Sequence, residues 1–292
     1  MKRKVYEQLL EWKSQEHHKP LILNGVRQCG KTYVLKEFGR QEFDSLAYVS
    51  CDRNVNLQAI YSGDFDVARI IQGLSALTGV DIIPGKTLIF LDEVQAFPQA
   101  LEALKYFCED APEYHIVVAG SLLGVALHAG VSFPVGKVQT LRLFPMDFEE
   151  FLMAMGEEQL LKLMHSHDYE LMNAFHEKLK DLLRQYYYVG GMPEVVKAFA
   201  ENKLLNQVRS LQNEILSNYA SDFSKHAPSQ EVPRIDMVWQ SILGQLSKEN
   251  KKFVYGVLKK GGRAKEFELA IQCWWMLDWC IRLQRYRSRS CL

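Results

Sequence analysis

The chain has 292 residues, 48% of them hydrophobic and 24% charged, with Lys+Arg and Asp+Glu both at 35 and a formal net charge of zero. Such a composition supplies a packed core and argues against disorder, while the balanced charge gives no general attraction to nucleic acid or an anionic membrane. No apolar run approaches the ~20 residues of a membrane span, and the charged start Met1-Lys2-Arg3-Lys4-Val5-Tyr6-Glu7 lacks the apolar segment of a signal peptide. Six Cys, at 29, 51, 108, 273, 280 and 291, show no pair at zinc spacing and read as free thiols in a reducing cytoplasm.

Leu21-Ile22-Leu23 reads as a buried strand, and a helix is predicted from Tyr33 onward. Between them lies Gly25-Val26-Arg27-Gln28-Cys29-Gly30-Lys31-Thr32, a G-x-x-x-x-G-K-[ST] pattern in the strand–loop–helix setting that a phosphate-binding loop requires. Glycines let successive N–H groups turn toward one anion, and the helix N-terminus adds its positive end. Lys31 is expected to reach the β- and γ-phosphates, and the Thr32 hydroxyl to ligate Mg²⁺. Cys29 reads either as an oxidation-sensitive thiol, because a helix N-terminus lowers thiol pKa, or as a small filler of the loop, the reading we favour.

Leu46-Ala47-Tyr48-Val49 is a second strand and Phe65 to Leu77 a helix. Thr87-Leu88-Ile89-Phe90-Leu91-Asp92-Glu93 follows, an apolar run that ends in two carboxylates, as a buried parallel strand would at its C-terminal edge. Asp92 is expected to hold Mg²⁺ through its water shell and Glu93 to activate the attacking water. After a helix from Gln99 to Glu109, His115-Ile116-Val117-Val118-Ala119-Gly120-Ser121 is another strand; Ser121 is read as a γ-phosphate sensor, a role compatible with a helix N-cap. Val138 to Leu143 supplies a fifth strand. The alternation implies a parallel sheet with right-handed crossovers.

From Pro145 to about Ala200 the pattern is helical, with Phe148, Phe151, Leu152 and Met155 repeating at 3 and 4, and Gly190-Gly191-Met192-Pro193 interrupts it. Taken alone, that interruption reads as a helix–helix turn or as a close backbone approach to a nucleotide. His165, His167 and His176 read as surface or packing residues. Three amphipathic pieces, Ile235–Leu246, Phe253–Lys259 and Ala264–Ile271, suggest a helix-turn-helix or winged-helix module. Lys248, Lys251, Lys252, Lys259, Lys260, Arg263 and Lys265 make that module basic, as either a DNA contact or a solvated face.

The segments GVRQCGKT, TLIFLDEVQ, AGSLLGV, SFPVGKV with LFPMDFEEFL, YVGGMPEVV, YASDFSKHA and QLSKENKKF appear in order from about residue 3 to 272. With them the chain resembles the bacterial and archaeal AAA+-type, STAND-related ATPases whose core is followed by a DUF4143 domain. The resemblance implies an ASCE-type P-loop core, a helical lid and a winged-helix segment, and it makes Pro193 a nucleotide contact of the lid. It leaves Lys137 as either a phosphate-facing cation or a surface charge. The expected α/β organisation is a P-loop core over 1–145, a lid over 146–230, a partial winged-helix segment over 231–272, and a tail over 273–292. That tail departs from the family. Reverse-translated from Cys273 and read from the third base of each codon, it gives Leu-Val-Asp-(Ala or Val)-(Gly or Arg)-Leu-Val-(Tyr or His), the family's own segment, so a frameshift is expected there.

The expected activity is Mg²⁺-dependent ATP hydrolysis driving a conformational switch. The alternative is a nucleotide-gated binding module with little turnover, acting on a protein or DNA partner through the C-terminal region; oligomers are open and no membrane is involved. The loop from Gly25 to Gly30 cradles phosphate, Lys31, Glu93 and Ser121 carry catalysis, and Thr32 and Asp92 place the metal.

Overall fold

Strand and helix alternate in the computed structural model of the chain, which describes residues 1–63, 65–120, 134–226, 230–247 and 253–276. In chain order, α1 (Val5–Lys13) precedes β1 (Leu21–Gly25), α2 (Lys31–Glu42), β2 (Ser45–Ser50), α3 (Leu57–Ile60) and α4 (Val67–Thr78). Then come β3 (Thr87–Asp92), α5 (Gln99–Asp110), β4 (His115–Gly120) and β5 (Gln139–Leu143). The following stretch is helical: α6 (Phe148–Ala154), α7 (Glu158–His165), α8 (Tyr169–Ala174), α9 (His176–Val189), α10 (Pro193–Asn202) and α11 (Leu205–His226). Two further helices are α12 (Val232–Leu246) and α13 (Ala264–Met276). The chain divides into two compact units, Met1–Val208 and Arg209–Leu292, with the division inside α11.

Among the described residues the four strand pairings are all parallel, and the order is β2-β3-β4-β1-β5. This is the α/β sheet expected of a P-loop NTPase, with β4 inserted between β1 and β3. The chain passes over two strand positions, those of β4 and β3, from β1 to β2 and then steps back through β3 and β4. Right-handed crossovers in opposite directions put helices on opposite faces. Accordingly Gly39 of α2 lies against Leu46 and Leu88 on one face. On the other, Ile70 and Leu74 of α4 and Leu101, Leu104 and Phe107 of α5 pack on Ile22, Ile89, Leu91, Ile116 and Val118. With both faces covered, β1, β3 and β4 are buried throughout, which is why their sequences are unbroken apolar runs rather than alternating ones.

α1 lies ahead of the elements that the sequence predicts, and its Val5, Leu9 and Trp12, at i, i+4 and i+7, are all buried. Trp12 packs edge-on against His18 and His115, whose rings stack at 3.8 Å. Both histidines lie at the N-terminal edge of the sheet, away from the loop that follows β1. Lys137 lies at that edge too, just before Gln139, the partner of Leu21, and pairs with Glu109 at 2.9 Å. It is a surface charge, not a phosphate-facing one.

In the first unit, α6 opens with a capping box: the Asp147 carboxylate accepts from Glu150 N and Glu150 reaches back to Asp147 N. His165, His167 and His176 are exposed. In the second unit, residues 253–259 are not the helix expected. The Gln245 amide donates to Val254 O at 2.9 Å and accepts from Val254 N at 3.0 Å, which holds that residue extended, so only a 3-10 turn over Tyr255–Val257 forms. Lys259 approaches Glu266 at 3.9 Å, while Lys248, Lys251 and Lys252 lie outside the described residues. So does most of the expected tail. Among the described residues no helix is long and apolar enough to cross a membrane.

Candidate nucleotide-binding site

The loop between β1 and α2 gets its shape from three residues of different kinds. Gly30 caps α2 at φ 94°, a conformation open to glycine. Gln28 takes φ 61° without being glycine. Gly25 is needed for a reason other than φ: a Cβ there would fall 2.3 Å from Leu143 O of the adjacent strand β5. The loop is thus pressed against the sheet at its start and turned left-handed at its end. Val26 and Cys29 are buried and Arg27 is half-buried.

Lys31 is 8% exposed, and its Nζ donates to Gly25 O and Val26 O, both at 2.8 Å. Its charge is therefore held inside the loop. Thr32, the next residue on α2, donates from Oγ1 to Asp92 Oδ2 at 2.7 Å. Asp92 is 4% exposed and also accepts from Tyr48 at 3.3 Å and from Glu93 N at 3.0 Å. Burial first, then the neighbouring Asp92, raises the Tyr48 phenol above its usual range and keeps it a donor.

Glu93 takes φ 53° and ψ 42°, left-handed for a non-glycine residue. Such a conformation costs of order 1–3 kcal/mol and concentrates at functional sites. It turns the second acid out of line with β3, and Gln95 Nε2 donates to its Oε2. Cys51, at the end of β2, is pushed up to about 12, by burial first and then by Asp92, Asp52 and Glu93. Burial likewise raises the Cys29 thiol. Of the two sequence readings, Cys29 is the filler, since a buried neutral thiol is inert.

Pro193 opens α10, and its Cγ lies 3.7 Å from where a Gly30 Cβ would stand, so the structure brings it over the loop. The preceding glycines make this possible. Gly190 has φ 75° and ψ −171°, a region essentially restricted to glycine. Gly191 donates no side chain, and Met146 N bonds to its carbonyl at 2.6 Å; a Cβ on Gly191 would fall 2.2 Å from Met146 O. Ser121 falls outside the described residues, one position beyond the end of β4. Loop, acids and Pro193 thus converge, all within the first unit.

Sequence reasoning missed three groups. Tyr48 and Gln95 bind the two acids, and Gln95 was visible in the motif only as a letter after Val94. Arg3 donates to Cys29 O in the loop at 2.8 Å; its partners include main-chain carbonyls, which leave no trace in sequence.

A loop of N–H donors at a helix start, an internal lysine and a hydroxyl–carboxylate pair across the strand tips are the features of the P-loop NTPase fold. Residues 17–152 match the family described as an AAA domain. Residues 180–291 match the domain of unknown function DUF8612, which corrects the DUF4143 expectation and extends across most of the segment read as frameshifted. Among solved structures, the Walker-type ATPase paby2304 of Pyrococcus abyssi is similar in fold, with a TM-score of 0.59 and 13% identity over 95% of this chain and 90% of that one. The Drosophila ORC bound to DNA gives a TM-score of 0.41 and 14% identity over 85% and 68%. No curated protein matches the sequence.

Proposed function

We propose that the chain binds ATP at the loop after β1 and hydrolyses its β–γ bond, with the cycle driving a conformational switch. The observation that carries this reading is the 2.7 Å bond from Thr32 to Asp92, which joins the loop helix to the acid-bearing strand with Glu93 next in the chain. Water attacks the γ-phosphorus, its proton passes to Glu93, and ADP leaves with inorganic phosphate as the second product. Exchanging the carbonyls of Gly25 and Val26 for phosphate oxygens would put the Lys31 charge on the β- and γ-phosphates. The N–H groups from Gly25 to Gly30 cradle them.

Thr32 and Asp92 offer hard oxygen donors side by side, which suits Mg²⁺. When bound, that ion would neutralise charge developing on the phosphates. Ser121, just past β4, is the proposed γ-phosphate sensor. Pro193 over Gly30 supports a lid contact with the nucleotide. The free thiols of Cys29, Cys51 and Cys108 accord with a cytoplasmic setting.

One contact favours the alternative of a gated binding module with little turnover. Gln95 donates to Glu93 Oε2, which occupies one of the two oxygens that a base would present to water. Phosphate release from Mg²⁺-ATP separates the two. Removal of a general base lowers turnover by about 10²-fold or more, so Glu93→Gln should do so while still binding nucleotide. Equal turnover in Glu93→Gln and the unmodified chain would overturn the hydrolase assignment. A DNA or protein partner for the basic C-terminal module belongs to this proposal as the recipient of the switch.

A further inference from the structure

Arg3 is 7% exposed, and its guanidinium meets three elements that are far apart in the chain. Nη1 donates to Cys29 O in the phosphate loop at 2.8 Å. Nη2 donates to Phe144 O, just past β5, at 2.5 Å. Nε donates to Glu150 Oε1 on α6 at 3.0 Å, and the two side chains are only 5% and 6% exposed. The planar fork of arginine suits three such directions at once; a lysine ammonium does not reproduce them.

The bond to Cys29 has a consequence inside the loop. In a trans peptide the C=O and the following N–H point in opposite directions. With the Cys29 carbonyl drawn toward Arg3, the Gly30 N–H is turned away from Arg3, so this bond sets the orientation of that peptide within the loop. The bond to Glu150 has a consequence on the lid side. Glu150 Oε1 also accepts from Lys4 N at 2.8 Å, while its Oε2 accepts from Asp147 N at 3.2 Å within the capping box. One buried carboxylate therefore fixes both the chain start and the first turn of α6. The same segment reaches the glycine turn before Pro193 through Met146, which bonds Gly191 O and accepts from the Tyr186 hydroxyl at 2.9 Å. Arg3 Nη1 and Pro193 Cγ stand at equal distance, 3.7 Å, from the Cβ position of Gly30.

We infer that Arg3 is a positioning residue that couples the geometry of the phosphate loop to the lid beginning at Met146, so that nucleotide binding and lid placement depend on one another through its bonds to Cys29 and Glu150. The inference rests on the nucleotide-binding reading above. Removing one partner of a buried ion pair leaves the other uncompensated, so loss of Arg3 should disturb both loop and lid. A purely structural Arg3 would lower the Tm of the free chain and leave the increment produced by nucleotide intact.

The test measures ADP binding in the presence of Mg²⁺, and the Tm increment it produces, on the full chain with Arg3→Lys and with Lys2→Ala, whose exposed pair with Glu158 serves as control. Coupling between sites commonly amounts to 5–150-fold in affinity. Arg3→Lys should bind ADP about tenfold more weakly with a reduced Tm increment, and Lys2→Ala should match the unmodified chain. Unchanged affinity and increment in Arg3→Lys would overturn the coupling. Should Arg3→Lys fail to fold, hydrogen exchange on the unmodified chain decides. ADP should slow exchange over residues 144–155 as well as 25–32, and protection confined to 25–32 would overturn the inference. If the unmodified chain binds no ADP, the phosphate-loop reading itself falls, and the coupling with it.

Discussion

Thr32 Oγ1 donates to Asp92 Oδ2 across 2.7 Å, tying the first turn of α2 to the end of β3, although the residues are 60 apart in the chain. Sheet order makes this contact possible: β3 and β1 flank β4, so both tips face one cleft. If the pair places a metal, Thr32→Val should retain most of its affinity for ATP without metal but lose the Mg²⁺-dependent gain. A difference of about tenfold corresponds to ~1.4 kcal/mol. Titration of labelled ATP with and without Mg²⁺ measures it, and an undiminished Mg²⁺ effect in Thr32→Val counts against the metal assignment.

Two glycines are fixed by contact rather than by conformation alone. A Cβ on Gly25 would meet Leu143 O at 2.3 Å, and one on Gly191 would meet Met146 O at 2.2 Å, both backbone atoms. Gly25→Ala and Gly191→Ala should each destabilise the first unit by about 1–3 kcal/mol. Gly244, inside α12 with nothing within 4 Å of its Cβ position, should give a neutral or stabilising alanine variant. Thermal unfolding of the three variants checks the contrast, and a Gly25→Ala chain as stable as the unmodified one contradicts the packing described.

Acid should weaken the fold through His115. Burial, then His18 and the nearby Lys13, lower its pKa from 6.5 to about 4, and burial also lowers that of His18. A folded pKa below the unfolded one means that the unfolded chain takes up the proton first. The stabilisation is present above pH 6.5 and is lost as pH falls toward about 4. Its size is on the order of 3 kcal/mol. Replacing His115 by Phe, which retains a ring against Trp12 and Phe43, should flatten the acid limb of Tm against pH, with a residual slope from His18. An acid limb of unchanged steepness in His115→Phe excludes this origin.

Much of the site was legible because its parts are local. A tight loop needs glycine at Gly30, and a strand buried on both faces shows as an apolar run ending in Asp92 and Glu93. What sequence could not show depends on tertiary placement. Arg3 acts through the carbonyls of Cys29 and Phe144, which any residue type would supply. Lys137 was open between a phosphate-facing cation and a surface charge, and its place just ahead of β5, paired with Glu109, decides for the surface. The Phe253–Lys259 piece has helical spacing, yet the Gln245 side chain captures Val254 and leaves a 3-10 turn. The DUF4143 expectation rested on motifs from GVRQCGKT in the core to QLSKENKKF near the C-terminal region, whereas residues 180–291 match DUF8612.

The central claim is that linked phosphates settle in the loop that now encloses Lys31, whose ammonium already lies against the carbonyls of Gly25 and Val26. Equilibrium binding of a labelled adenine nucleotide to the unmodified chain and to Lys31→Ala tests this most directly. Loss of a charge-assisted phosphate contact worth about 1.5–3 kcal/mol should weaken binding by about tenfold to a hundredfold. Equal affinity in the two chains would contradict the account.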